Sequence, residues 1–254
     1  MAMAMARGFV SSGQSNPERI FAVDPDVEAR TRFTTAVPGA KSFEQGTELP
    51  GECRVLILAV KPHIVEVALK GFKPPPNSCI VSVVAGLSLK SLQMKTRQER
   101  VIRAMPNTPA LIGEAATGLC SSDAATVEDK QLVSSLFESI GLVIEIDEPL
   151  LDSVTGLSGS GPAFVFRFIE AMIEAGVLNG LSRDQSRKLA VQTVFGAARM
   201  MQDSGDHPRV LADRVTSPMG TTAHGLRELD ERGFAASVIA AVTSAATRAR
   251  DLGK

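Results

Sequence analysis

The chain has 254 residues, 44% of them apolar and 22% charged, with a formal net charge of −1. That is the balance of a soluble globular protein with one large or two modest domains. So small a net charge gives no pull toward nucleic acid or an anionic membrane, and no apolar run is long enough to span a bilayer.

Met1 to Phe9 reads as a helix with no strand before it, followed by a turn over Ser11 to Pro17. It lacks the basic region and cleavage site of a secretion signal and the Arg and Ser of a transit peptide. Arg19 to Val23 (RIFAV) is a short buried strand ending at Asp24-Pro25, and Asp26 to Phe33 is helical in composition. Arg54 to Val60 (RVLILAV) is a near-continuous apolar run, as expected of a strand covered on both faces. His63 to Lys70 is the next helix, Ser78 to Ala85 the next strand, and Ser88 opens a helix to about Lys95. Strands follow at Arg100 to Met105, Ala116 to Ser121 and Leu142 to Ile146, with a helix at Asp129 to Ile140. This alternation predicts an α/β fold with a doubly wound parallel sheet.

Past about Glu148 no strand signal remains. Gly161 to Val177 is a long helix, Asn179-Gly180 a turn, and Ser182 with Gln185 a capping box for a helix to about Met201. A last alanine-rich helix runs from Phe234 to Leu252. Between them lies LADRVTSPMGTTAHGL, Leu211 to Leu226, a loop opening a helix. With Ser217 as N-cap and Pro218 at the first helical position, the N–H groups of Met219, Gly220, Thr221 and Thr222 are unpaired first-turn donors. They suit a small carboxylate, with two threonine hydroxyls beside it. An ordinary capped helix explains the same residues.

In an open parallel sheet, ligands bind outside the carboxyl ends of the strands. Those ends are Asp24, Ala59 to Pro62, Ala85-Gly86 and Met105 to Thr108. Lys61 there can face a phosphate, Asn107 a planar carboxamide, and Asp24 an adenosine ribose, although Asp24-Pro25 is also a plain turn. No G-x-G-x-x-G occurs anywhere. Gly156 to Pro162 (GLSGSGP) is either a phosphate nest or an inter-domain crossing. His63, His207 and His224 lack acidic neighbours at metal-ligand spacing, so no metal is expected. Cys53, Cys79 and Cys120 make neither a zinc nor a disulfide framework and read as reduced thiols.

Four segments, AVKPH (Ala59 to His63), RAMPNTP (Arg103 to Pro109), DSVTGLSGSGPAFVF (Asp152 to Phe166) and DRVTSPMGTTAHGL (Asp213 to Leu226), resemble the pyrroline-5-carboxylate reductase family in order and spacing. The resemblance runs over essentially the whole chain. It implies a Rossmann-like dinucleotide-binding domain over 1–148 and a helical substrate-binding and dimerisation domain over 149–254. It also implies reduction of Δ1-pyrroline-5-carboxylate to L-proline with NADPH or NADH, in a cytoplasmic or organellar homodimer that often assembles into a decamer. Gly220, Thr221 and Thr222 match the substrate loop, to which Met219 is added, with Thr222 reaching the ring nitrogen as the catalytic hydroxyl. Ala59, Val60, Lys61 and Pro62 match the cofactor side, to which Asp24, Ala85 and Asn107 are added, and Glu148 matches an acidic position near the ligands.

Three departures stand out. Met219-Gly220 replaces the family's Gly-Gly. Asp24 stands where NADPH-using members favour a small or polar residue, which favours NADH. The match also begins just past the family's first strand and Gly-x-Gly loop. Loss of that strand is expected to leave two inner strand edges unpaired, unless another segment fills the gap. Two rivals follow: a non-catalytic oligomerising relative, and another imine or hydroxyacid reductase. The hydroxyacid dehydrogenases place a Lys just after the Gly-rich crossing, and Pro162 to Phe166 contains none.

Overall fold

In the computed structural model, which describes residues 1–253, hydrogen bonding divides the strands into two sheets. β1 (Phe21–Val23) pairs in parallel with β2 (Lys41–Phe43). β3 (Val55–Leu58), β4 (Cys79–Ser82), β5 (Val101–Met105), β6 (Ala115–Ser121) and β7 (Gly141–Glu145) form the second sheet in that order. Its pairs are parallel except β5 with β6. The expected parallel sheet is found in the other pairs, and this one pair departs from it for a covalent reason. A parallel crossover needs a dozen or more residues, and the segment after Met105 holds only one 3-10 turn, Thr108–Ile112, before the chain returns at Ala115.

β4 and β5 are buried along their whole length, as continuous apolar runs require. On one face α5 (Val127–Glu138) sets Val133 and Phe137 against them, and α1 (Ala2–Ser11) adds Ala4, Met5 and Phe9 to the same cluster. Phe9 meets Phe137 edge-on, with ring centroids 6.0 Å apart. From its other side α1 sends Ala6 into a second cluster with Val37 and Ala40, beside α2 (Val27–Ala36). α1 therefore packs on both clusters, while β1 and β3 each keep one edge without a strand partner among the described residues. The opposite face of the five-stranded sheet carries Ile80 and Val101 under Leu92 of α4 (Leu89–Thr96). The short α3 (Val65–Leu69) follows the β3 end.

The chain forms two compact units, Met1–Ser160 together with the residues from Thr243 onward, and Gly161–Val242. The expected division after Glu148 falls inside the first unit. α6 (Leu151–Val154) places Leu151, 1% exposed, against Met105 and Cys120. One wide π turn over Thr155–Gly159 then leads onward, so the Gly-rich stretch is helical.

In the second unit α7 (Gly161–Leu178) packs on α8 (Arg183–Ser204), joined at Asn179-Gly180. The two helices approach closely at Gly176, where a Cβ would stand 2.6 Å from Ser186 Oγ. α9 (Pro208–Arg214), absent from the sequence reading, and α10 (Thr221–Glu231) follow. α11 (Phe234–Leu252) begins here and ends in the first unit. Among the described residues no helix is long and apolar enough to cross a membrane.

Candidate functional site

The TSPMGTT stretch is a turn followed by a helix, with a register that differs from the sequence reading. Gly220 N–H donates to Ser217 O at 3.0 Å, closing a tight turn with Pro218 and Met219 at its centre. Met219 takes φ 58, the left-handed value that the third residue of a type II turn needs. Gly220, not Ser217, is the N-cap of α10. The reason is local: Pro218 suits the second position of a turn as well as the first turn of a helix, because both need φ near −65°. The free first-turn donors are therefore Thr221, Thr222 and Ala223 N–H, while Gly220 N–H is engaged inside the turn. The Thr221 and Thr222 hydroxyls make no hydrogen bond among the described residues. Thr216 Oγ1 donates to Ala212 O at 2.7 Å, tying the loop to the end of α9.

In the first unit, polar groups collect at the carboxyl ends of strands. After β1, Asp24 Oδ1 accepts Asp26 N–H at 2.9 Å, and Asp26 in turn caps α2. Arg30 reaches back from α2, its Nη1 donating to Asp24 O at 2.7 Å and Pro25 O at 3.0 Å. After β3, the half-buried Ala59 and Val60 lead to Lys61 and Pro62, and Pro62 opens a 3-10 turn. Lys61 is exposed and unpaired among the described residues. After β4, half-buried Ala85 precedes Gly86, whose φ of 76 glycine adopts freely. After β5, Asn107 is buried and already engaged: Oδ1 accepts Ala116 N–H and Nδ2 donates to Ser158 O, both at 3.0 Å. It holds the crossing to β6, which reduces the amide capacity expected to face a ligand.

Glu148 is likewise held. Its Oε1 accepts Leu89 N–H at 2.6 Å and Arg103 Nη1 at 3.0 Å, which sets a carboxylate at the amino end of α4. Arg103 is 5% exposed, and its Nε has no partner among the described residues. Arg30 and Arg103 both escaped the sequence reading. Arg103 carried a signal, a lone charge in an apolar strand; Arg30 carried none, because its partners are carbonyls.

Burial pushes the Cys79 thiol up to about 12 and the Cys120 thiol to about 11, so neither is a nucleophile near neutral pH. Among the described residues no group of three or more His, Cys, Asp or Glu side chains gathers to hold a metal. The donor set fits a dinucleotide instead. A carboxylate and a guanidinium at the β1 end suit a ribose, and an unpaired ammonium after β3 suits a phosphate.

Comparisons with known proteins agree with this chemistry. The family model described as pyrroline-5-carboxylate reductase dimerisation matches residues 148–252, and one described as NADP oxidoreductase, coenzyme F420-dependent, matches residues 1–86. The pyrroline-5-carboxylate reductase of Arabidopsis thaliana is 44% identical over 257 residues, covering 100% of this chain and 92% of its own. That of Methanosarcina acetivorans is 39% identical, covering 100% of this chain and 95% of its own. The solved pyrroline-5-carboxylate reductase of Coxiella burnetii superposes with a TM-score of 0.90 at 30% identity, covering 100% of this chain and 96% of that one. The pyrroline carboxylate reductase of Plasmodium falciparum, solved with NADP bound, gives 0.88 at 33% identity, covering 99% of this chain and 94% of that one.

Proposed function

The chain belongs to the pyrroline-5-carboxylate reductase family, and on that premise we propose the roles by which its residues serve the family's reaction. The reaction is the reduction of Δ1-pyrroline-5-carboxylate to L-proline with NADPH or NADH, the last step of proline biosynthesis. When bound, the reduced nicotinamide supplies the hydride that adds to the C=N carbon.

The observation that carries the substrate assignment is the mouth of α10. Among the described residues it offers three N–H groups without helical partners and two threonine hydroxyls without any partner. Thr221, Thr222 and Ala223 N–H hold the carboxylate in the helix's positive end. Thr222 Oγ1 bonds the ring nitrogen, orienting the imine and stabilising the amine as it forms. Gly220 and Met219 shape the turn that aims these groups. Glu148, with Oε1 engaged by Arg103 and Leu89, keeps Oε2 as an acceptor available to a ligand. Asp24 takes ribose hydroxyls and Lys61 a phosphate. Ala59, Val60, Pro62 and Ala85 give backbone surface, and Asn107 offers its remaining amide capacity to the carboxamide.

The functional unit is a homodimer joined through the helical region, with dimers assembling into a decamer, located in the cytoplasm. The dimerisation model matched over residues 148–252 supports the first claim. The three free cysteines suit a reducing compartment. The test of the site is to follow oxidation of NADPH and NADH with pyrroline-5-carboxylate in the full chain and in Thr222→Ala. Substrate-dependent oxidation that Thr222→Ala sharply lowers is expected; equal rates in both proteins overturn the site.

A further inference from the structure

We propose that Arg30 is a specificity-determining residue, the group that receives the 2′-phosphate of the phosphorylated cofactor at the end of β1. The inference rests on the reading that the dinucleotide lies across the strand ends.

Five charged residues crowd the first turns after β1: Asp24, Asp26, Glu28, Arg30 and Arg32. Arg32 is held by Asp26 at 3.7 Å and Glu28 at 3.5 Å. Arg30 has no carboxylate partner among the described residues. Its Nη1 is fixed by two carbonyls, Asp24 O and Pro25 O, which leaves Nε and Nη2 without partners among the described residues. A half-buried guanidinium, pinned through one nitrogen and open at the other two, is a preorganised fork for a phosphate. It has given up part of its side-chain freedom before any ligand arrives, so less is lost on binding.

Asp24 works in the opposite sense from the same turn. Its Oδ1 is engaged by Asp26 N–H, and Oδ2 remains for ribose hydroxyls. A 2′-phosphate meets like charge at Asp24 and unlike charge at Arg30. The two residues together make a site that accepts both cofactors, with Asp24 favouring the 2′-hydroxyl and Arg30 the 2′-phosphate.

The test is calorimetric binding of 5′-AMP and 2′,5′-ADP to the full chain and to Arg30→Gln, Arg30→Met and Asp24→Ser. Gln keeps an N–H donor for the two carbonyls and drops the charge. The expected result is that Arg30→Gln weakens 2′,5′-ADP about tenfold, the loss of one charge-assisted bond, and leaves 5′-AMP within about twofold. Asp24→Ser is expected to strengthen 2′,5′-ADP and weaken 5′-AMP. Equal losses for both nucleotides, or no loss for either, overturn the role of Arg30 while the site reading stands. If 5′-AMP does not bind, or binds without responding to Asp24→Ser, the nucleotide is not at this strand end and the site reading falls with the proposal. If Arg30→Gln does not fold, Arg30→Met decides. Failure of both to fold makes Arg30 a fastener of the turn and overturns the proposal.

Discussion

Met219 holds a φ of 58 with its side chain 93% exposed, so nothing in the chain's own packing repays the strain. The left-handed region costs a side-chain-bearing residue about 1–2 kcal/mol, part of which glycine returns through its looser unfolded chain. Met219→Gly is expected to raise stability by about 0.5–1 kcal/mol, a Tm gain of about 2 °C in thermal denaturation. Thr222 makes a different prediction, because its hydroxyl matters only with substrate present. Thr222→Ala is expected to cost about 1.5–3 kcal/mol in turnover, roughly 10- to 150-fold, with cofactor affinity unchanged and Thr222→Ser restoring most of the rate. Unaltered kcat in Thr222→Ala would remove the hydroxyl from the chemistry. Thr117 is a third case, 3% exposed in β6 with no partner for Oγ1 among the described residues. Thr117→Val keeps the shape and removes the orphan, so urea unfolding is expected to show a gain of about 1 kcal/mol. The two threonines of α10 were legible in sequence because a helix start advertises its donors. The exact first residue was not, since proline fits both a turn and a helix start.

At the scale of elements, the ion pair between Arg100 and Asp129 joins the start of β5 to the first turn of α5. Arg100 Nε donates to Asp129 Oδ2 at 2.7 Å, its Nη2 bonds Oδ1, and Thr126 N–H adds a bond to Oδ2. The Arg100 hydrogen bond, outweighing the penalty of burial, holds the Asp129 carboxyl below its ordinary value. A depressed carboxylate pKa adds stability above the unfolded value of about 3.9, and that stability is lost as pH falls through the folded value. Asp129→Asn is expected to cost about 2–3 kcal/mol at neutral pH, because it leaves Arg100 unpaired and weakens the α5 cap. The gap from wild type should begin to narrow below about pH 4 and close as pH falls through the lower folded value. Urea midpoints at neutral and acid pH check this, and a gap independent of pH refutes it. β3 to β5 were legible because apolar packing on both faces leaves runs such as RVLILAV and SCIVSVVA. β2 was not, since Lys-Ser-Phe carries no apolar pattern and forms against β1 by tertiary pairing. The reversal between β5 and β6 was present in the short connection, and alternation of strand and helix elsewhere outvoted it. α9 escaped because its seven residues lie too close to the preceding helix to show a period of their own.

For the whole molecule, the helical region exposes large apolar side chains that a partner could cover. Phe166 of α7 is 65% exposed, Leu178 85%, Phe195 of α8 63% and Ile239 of α11 67%. These four lie on three helices of the region that the dimerisation model matches, where a large exposed apolar patch would mark an interface. In a twofold dimer each substitution acts twice, once per protomer. Burial of one Phe contributes about 1.5–3 kcal/mol, so Phe195→Glu is expected to weaken association by at least about 3–6 kcal/mol, or two to four orders of magnitude in Kd. Light scattering at micromolar concentration is expected to give a dimer or a multiple of it for the wild type and a monomer for Phe195→Glu. The wild-type Tm should rise with protein concentration, and that of the variant should not. Val67 of α3, 71% exposed but in the first unit, supplies the control: Val67→Glu adds the same charge and should leave the assembly intact. If Phe195→Glu associates as the wild type does, the interface lies off the α8 face. A wild type that is monomeric in light scattering leaves these side chains exposed in solution and ends the case for a dimer.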